Sequence, residues 1–467
     1  MVLKLYNTLT NTEEDFVPIK EGEVRMYTCG PTVYGRPHIG NYSSFLLADL
    51  LRRWLEVSGL TVTHVKNITD VGHLAGDGVA DAQGLDKIER QSREENTDPL
   101  ALARKYTEEY LADEKLLNFK EPEHRPLATE TIPEMLAMIE TLIERGHAYE
   151  TDDGVYFDVT SFKDYGKLSG NTLENLSSGA RVEVDEKKKH PADFALWKKC
   201  VGENEHHILR WDSKWGEGFP GWHLECSCMS NKFLGSPFDI HTGGEDLIFP
   251  HHECEIAQSL GSGDGMPHVN YWVHKRFIDM GDCKMSKSLG NVLCLPDIEA
   301  MGFSPLDLRY YLLSVHYRTN LKFAQKGLED AHKARRKILE WMREVDEAGD
   351  TESSEEWEQK FAEAMDSDLN TPAALAVVFD LMSASRNEGT LGSCKEFVRV
   401  IQETFGCFEL SPEARASLPA EVSALAQQRL EARADKDFNA SDNLRDQIKE
   451  LGYEVKDTEK GQEIIKM

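Results

Sequence analysis

Near the start of the chain stands His38-Ile39-Gly40-Asn41, and past its middle Lys284-Met285-Ser286-Lys287-Ser288. The first follows an apolar run from Val24 to Cys29 and then Gly30-Pro31, and it opens a segment in which Phe45, Leu46, Leu50, Trp54 and Leu55 recur near helical spacing. That order predicts a strand, a glycine-bearing turn and a helix. Unpaired N–H groups at such a helix start favour anionic phosphate, and Gly40 allows a close approach to the backbone. The His38 imidazole can add a hydrogen bond to a phosphate oxygen. The second stretch sets Lys284 and Lys287 three residues apart in a loop rich in Ser and Gly, which suits point charges reaching a pyrophosphate. Each has an ordinary reading on its own, a solvated lysine loop among them. Together, in this order, they predict two halves of one site for the triphosphate of ATP.

A second group is of metal-binding types. Cys29 ends the first predicted strand, Cys226 lies in Gly221-Trp222-His223-Leu224-Glu225-Cys226, and Pro250-His251-His252-Glu253-Cys254-Glu255 is predicted to begin a helix with proline at a position that tolerates a missing N–H. His251 and Glu255, four apart, then share a helical face. Two thiolates, an imidazole and a carboxylate make a sound tetrahedral zinc set. The spacing is no metal signature, however. There is no Cys-x-x-Cys finger, and scattered cysteines in a chain of this length are ordinarily buried or free thiols, so both readings stand. Cys254, three residues after His251, is a possible competing ligand.

These residues need a frame of several domains. The chain has 467 residues, which fits two to four domains. No apolar stretch approaches the ~18 residues of a membrane span, and Met1 to Thr10 lacks the layout of a secretory signal. Nine cysteines, an odd number, favour a reducing compartment, and a cytoplasmic enzyme is expected. The expected fold class is α/β. Residues 1–120 read as the first half of a Rossmann-like parallel sheet, with a strand at Thr61 to Ile68, and residues 121–215 as an insertion. The insertion carries a helical stretch around Ile132 to Arg145 and a hairpin signal at Asp152-Asp153-Gly154. Residues 216–265 return to the sheet, 266–320 form a connector with the lysine loop, 321–410 a helical bundle, Glu409 to Leu418 a linker, and 420–467 a small helical unit with a short end strand near Tyr453 to Val455.

Charge argues against a polyanionic partner: 53 basic and 82 acidic residues give −29. Phosphate binding wants local positive potential, and Lys187-Lys188-Lys189 and Lys333 with Arg335-Arg336-Lys337 are candidate patches, though solvated surface is their default reading.

The two phosphate signatures resemble those of class I aminoacyl-tRNA synthetases. Further stretches resemble the cysteinyl-tRNA synthetase family: Tyr27 to Tyr34, Asn67-Ile68-Thr69-Asp70, Gly221 to Cys226, Phe238-Asp239-Ile240-His241 through Gly243-Gly244 to Glu253, and the lysine loop with Leu289-Gly290-Asn291 behind it. They run in family order over nearly the whole chain. The resemblance implies one zinc per chain, on Cys29, Cys226, His251 and Glu255, with the substrate thiolate on the metal. It also implies Thr69 and Trp222 in the amino-acid pocket, and Gly40, Gly244, Asp246, Ser286 and Lys287 around ATP and its Mg²⁺. Charge stabilisation would fall to His38, Asn41, Lys284 and Lys287. Asn41 stands where the family's usual form has a second histidine; it can still donate to phosphate.

Zinc suits the selection such an enzyme faces. An apolar pocket separates cysteine from serine by only ~1–3 kcal/mol, whereas zinc favours a soft thiolate over a hydroxyl and lowers the thiol pKa.

The tail resembles the family's anticodon-reading domain, which implies that Arg429, Arg433, Phe438 and Asp442 meet splayed anticodon bases. Its residues alone read as an amphipathic hairpin with solvated charges. It ends in Gly461-Gln462-Glu463 without the tryptophan that often follows this glycine in the family. The resemblance thus implies ligation of L-cysteine to tRNA(Cys) through a cysteinyl adenylate; a monomer is expected. A ligase joining cysteine to an amino sugar shares this core but lacks the tail. A zinc hydrolase would leave the lysine loop unexplained.

Overall fold

The strand Glu23–Thr28 carries apolar side chains on both faces, as an interior strand of a parallel sheet must. Val24 and Met26 turn into one core and Tyr27 into another. In the computed structural model, which describes residues 2–72, 74, 86–174, 187–263, 268–281, 283–284, 291–349, 355–408, 420–434, 437–458 and 461–466, this strand is flanked by two parallel neighbours. Thr61–Lys66 lies on one side and Phe238–Gly244 on the other, with Val269–Lys275 outermost, also parallel. The expected α/β architecture with a parallel sheet is therefore present.

The same alternation recurs along the sheet. Ile240, Tyr271 and Val273 join the core of Val24, while Phe238, Val65 and Trp272 join that of Tyr27. On the first face packs the helix Ile39–Val57, which buries Phe45, Leu46, Leu50, Trp54 and Leu55, the stripe legible in the sequence. That core continues into four helices, Gln325–Glu347, Glu355–Asp366, Thr371–Glu388 and Lys395–Phe405, through Trp341, Phe361 and Phe397. Phe361 is wholly buried, which contributes about 1.5–3 kcal/mol relative to exposure. A buried arginine ties these elements together: Arg309 donates to the carbonyls of Leu117, Asn118 and Phe405 and pairs with Asp49, whose carboxyl is held well below the usual range, against its burial, by Arg309 and Arg53.

On the second face lies an antiparallel sheet in the order Ala148–Glu150, Gly154–Phe157, Phe194–Lys199, Gly218–Pro220. Its first hairpin turns at Asp152-Asp153, where the sequence signals it. The helix Ile132–Glu144 and the helix Trp222–Leu234 contribute to the same core. Among the described residues no helix is long and apolar enough to cross a membrane.

The chain divides into two compact units, Met1–Phe408 and Glu409–Met467. In the second, the helices Ala420–Ala434 and Phe438–Glu450 are followed by an antiparallel hairpin, Tyr453–Thr458 with Gly461–Lys466. The sequence suggests only a short strand near Tyr453 to Val455. The partner strand is polar along most of its length, and what fixes it is Ile464 packing with Tyr453 beside Val422, Ala426, Ile448 and Val455. The linker Glu409 to Leu418 lies outside the described residues.

Candidate active site and metal centre

The carboxyl ends of the parallel strands converge where the strand order reverses, the usual ligand position in such a sheet. Cys29 follows the strand Glu23–Thr28, and the turn behind it needs a glycine. A Cβ on Gly30 would stand 1.7 Å from the carbonyl oxygen of Asn67. Instead Gly30 N–H donates to Asn67 Oδ1 at 2.8 Å, and Thr69 N–H donates to the Pro31 carbonyl at 3.0 Å.

The chain then enters the helix Ile39–Val57 with His38 as its cap. Asn41 N–H donates to His38 Nδ1 at 3.3 Å, and His38 N–H donates to Asn41 Oδ1 at 3.0 Å, a reciprocal cap. His38 and Asn41 therefore hold the helix terminus that the phosphate reading needs, with both side chains half-buried. The chain downstream of the lysine loop docks here: Ile39 N–H donates to the Leu293 carbonyl at 2.8 Å, and His38 forms an antiparallel bridge with Cys294. Ser286 and Lys287 lie outside the described residues, and for Lys284 only the backbone is described, in the two-residue strand Cys283–Lys284. Gly244 ends the strand Phe238–Gly244. A Cβ there would meet Asp246 Oδ1 at 2.4 Å, so the exposed Asp246 side chain folds over it.

On the far side of Cys29 the predicted metal ligands meet. Cys29, Cys226, His251 and Glu255 are all buried, with ligand atoms within 4.8 Å of one another. The thiols of Cys29 and Cys226 are 3.6 Å apart, Cys29 Sγ is 3.6 Å from Glu255 Oε1, Cys226 Sγ is 3.4 Å from His251 Nε2, and His251 Nε2 is 3.1 Å from Glu255 Oε1. Ligand bonds of about 2.0–2.3 Å give tetrahedral edges of roughly 3.3–3.8 Å, so this donor set fits zinc.

The helix that carries two of these ligands starts later than the sequence suggests. Residues Ile248–His252 form a kinked turn with Phe249 extended at φ −137° and ψ 131°, and the regular helix is Glu253–Ser262. His251 and Glu255 still meet across the junction. Cys254 does not compete: its thiol lies 3.5 Å from the Tyr165 hydroxyl, in the core behind the site. Cys228 is likewise a core thiol, beside Met138.

The electrostatics are those of a donor set held ready. Burial opposes ionisation of Cys226, yet the Cys29 hydrogen bond and the His251 imidazolium draw it down to about 6. His251 rises to about 10 despite burial, chiefly through the Cys226 thiolate and Glu255. Glu255 is held well below the usual carboxylate range by His241 and His251, against its burial. Burial and the neighbouring Cys226 push the Cys29 thiol well up.

Thr69 and Trp222 both line this region. Thr69 Oγ1 donates to Glu225 Oε2 at 2.8 Å and accepts from Asn67 Nδ2 at 3.1 Å. Trp222 opens the helix Trp222–Leu234, its ring centroid 4.3 Å from that of His251. Residue types and spacing did not single out His241, His252, Asn67 or Glu225, although each lies within or beside the stretches that carry the family resemblance. His241 Nε2 is 3.0 Å from Glu255 Oε2, and His252 Nε2 is 3.4 Å from Cys29 Sγ. No local spacing could reveal either contact, since each partner comes from a different element.

In the second unit Arg429 is wholly buried, spanning Asp457 and Gln462 at 2.7–3.1 Å. Expected as a surface contact, it serves as a core tie, because Asp457 draws the guanidinium inward. Arg433 and Arg445 also pair with Asp457, while Phe438 is 62% exposed and Asp442 is exposed.

The fold and the site define a class I aminoacyl-tRNA synthetase. Residues 15–333 match the family described as tRNA synthetases class I (C) catalytic domain, residues 360–407 a DALR domain, and residues 415–464 a Cysteinyl-tRNA ligase anticodon binding domain. The Mycobacterium tuberculosis methionyl-tRNA synthetase bound by methionyl-adenylate shares the fold, with a TM-score of 0.56 over 83% of this chain and 89% of that one, at 13% identity. The Cysteine--tRNA ligase of Chlorobaculum tepidum is 41% identical over 98% of each chain, and that of Pyrococcus horikoshii 42% identical over 100% of this chain and 99% of its own. The chain belongs to the cysteine–tRNA ligase family, whose activity is the ATP-dependent charging of tRNA(Cys).

Proposed function

We propose that the chain activates L-cysteine with ATP and Mg²⁺ to cysteinyl adenylate, then transfers the cysteinyl group to the terminal adenosine of tRNA(Cys), with zinc at Cys29, Cys226, His251 and Glu255 selecting the substrate. The observation that carries this reading is the convergence of that buried donor set with the capped helix start at His38, both at the carboxyl ends of neighbouring strands. When bound, zinc supplies a soft Lewis acid that prefers the cysteine sulfur to a serine hydroxyl.

The chain's own residues do the rest. The amino-acid carboxylate is the nucleophile at the α-phosphorus, so no protein base is needed for activation. Thr69 and Trp222 bound the amino acid; Gly40, Gly244 and Asp246 place the nucleotide; and His38, Asn41, Lys284, Ser286 and Lys287 bind and stabilise the phosphates as charge moves onto pyrophosphate. In the second unit Phe438 offers a stacking face, and Arg433 and Asp442 offer polar contacts to anticodon bases. Action as a cytoplasmic monomer completes the reading, in keeping with eight free cysteines among the described residues.

The test is ATP–pyrophosphate exchange with cysteine or serine, before and after metal removal, followed by charging of total tRNA. Metal-dependent exchange with cysteine alone, plus charging, is expected. Exchange without charging would point to an amino-sugar ligase, and no exchange would discard activation.

A further inference from the structure

The outermost strand of the parallel sheet ends on a buried lysine. Along Val269–Lys275, Trp272 joins the core beside the thiol–histidine cluster and His274 bonds His252 within it, whereas Tyr271 and Val273 join the core on the other face. Lys275 continues the second series. It lines a cavity of about 20 Å³ between this strand end, the helix Ile39–Val57 and the chain that follows the helix Pro305–Leu313. Such a space holds a single small occupant. Its walls are mostly leucine, Leu46, Leu50 and Leu312 among them.

Four polar side chains line the cavity: Ser43, Lys275, Tyr317 and Thr371. Two are engaged elsewhere. The Tyr317 hydroxyl donates to Asp368 Oδ1, and the Thr371 hydroxyl donates to the Leu313 carbonyl at 2.6 Å. The other two are not. Ser43 is 2% exposed and its hydroxyl has no hydrogen-bond partner among the described residues, although a helical serine can ordinarily turn to the carbonyl one turn back.

Lys275 is 6% exposed, and its ammonium makes one long hydrogen bond, 3.4 Å to the Tyr317 carbonyl, with no ion pair among the described residues. Glu245, the carboxylate whose field reaches it, is already held by Arg276 at 2.6 Å and by the Phe277 N–H at 2.8 Å. Burial draws the ammonium down only to about 8, so it is charged at neutral pH. An ammonium carries three donors and no acceptor, and a buried charge is costly unless it is paired. A water in the cavity accepts from Lys275 and Ser43 but leaves that charge unbalanced. A monovalent anion accepts from both and balances it.

We propose that this cavity is a binding site for one monovalent anion of chloride size, held by the Lys275 ammonium and the Ser43 hydroxyl. A space of about 20 Å³ admits a halide and excludes phosphate or an organic acid. Lys275 lies in register with Gly244, and Ser43 stands two residues past Asn41 on the helix that His38 caps. The ion therefore ties the outermost strand to that helix. The proposal goes beyond the tRNA-ligase reading and does not depend on which amino acid is activated.

Thermal unfolding of the full chain in sodium chloride and in sodium gluconate at matched ionic strength tests it, since matching cancels general screening and gluconate is too large to enter. The midpoint is expected to rise with chloride and then saturate, as binding to the folded chain alone requires. Crystals grown in bromide should show anomalous density between Lys275 Nζ and Ser43 Oγ. Lys275→Met should abolish the chloride-dependent rise, and Ser43→Ala should shift it to higher chloride. Equal midpoints of the wild-type chain in the two salts would overturn the proposal, as would a cavity holding only water in the bromide crystals. Bromide density without any chloride-dependent midpoint would mark an adventitious ion only, and would overturn it too. Both wild-type measurements decide the matter even if Lys275→Met fails to fold, and ATP–pyrophosphate exchange measured separately keeps the outcome apart from the fate of the ligase reading.

Discussion

At the proposed amino-acid end of the site, Cys29, Cys226, His251 and Glu255 are at most 6% exposed and already lie at ligand spacing, with His241, His223 and the His252–His274 pair behind them. At the proposed nucleotide end, His38, Gly40, Asn41 and Gly244 are half-buried and Asp246 is exposed, and the described contacts are helix caps and backbone bridges. The contrast matches what each end is proposed to recognise. A thiol differs from a hydroxyl by one atom, and rigid, buried donors make the penalty for the wrong atom large. A triphosphate carries several charges and is held well by a helix terminus and long cationic side chains, which need less burial to act.

That contrast can be broken from either end. The largest effect is expected for Cys226→Ser, which removes a soft ligand from a buried set. Partners one shell further out typically cost about 10–100-fold when lost, so the ligand itself should exceed that in cysteine-dependent exchange. Metal content should fall with it, and discrimination against serine should shrink. Retained metal and retained discrimination would remove the site from the selection step.

His38→Ala should come next, with a loss of about 10²–10³ in the rate of adenylate formation and little change in cysteine KM. Helix stability should fall by about 1 kcal/mol through loss of the cap. A matching rise in cysteine KM would show that the two ends are not separable.

In the second unit, Phe438→Ala should weaken tRNA by about 1–3 kcal/mol, read as a raised KM for tRNA(Cys) with cysteine activation unchanged. Arg429→Ala should instead destabilise that unit, because it removes a wholly buried side chain that ties Asp457 to Gln462. If both variants alter only tRNA binding, Arg429 is a contact residue after all.

The smallest effect is in proton balance. His251 is raised to about 10 and the Cys29 thiol is raised further by burial, whereas Cys226, drawn down to about 6, and Glu255 are already ionised at pH 8. Metal binding at pH 8 should therefore release one proton from His251 and one from Cys29, and affinity should rise with pH as each group loses its proton, His251 at about 10. In the metal-free chain His251 and Cys226 act on stability with opposite signs. The raised His251 contributes stability that is fully present below its unfolded value and lost as pH climbs through about 10; the depressed Cys226 contributes stability that is lost as pH falls through about 6. Calorimetry in buffers of different ionisation enthalpy measures the release, and a value near zero would mean that the donors are already deprotonated.

The sequence by itself placed a strand over Val24 to Cys29, seen at Glu23–Thr28, the helix stripe from Phe45 to Leu55, the hairpin at Asp152-Asp153 and the types of the four donors, because each is a local pattern of period, turn or chemistry. Family resemblance then assigned those donors to one site. Tertiary structure decided the rest. Of the histidines at 223, 241, 251, 252 and 274, only packing of a strand, a kinked turn and a helix selects which ring nitrogens face Cys29 and Glu255. The kink at Phe249 sends Cys254 to Tyr165 instead of the metal site, and a carboxylate from a hairpin 28 residues downstream turns Arg429 inward. Periodicity reports which face of an element is apolar. It cannot report what another element brings to meet that face, and at this site those meetings are the chemistry.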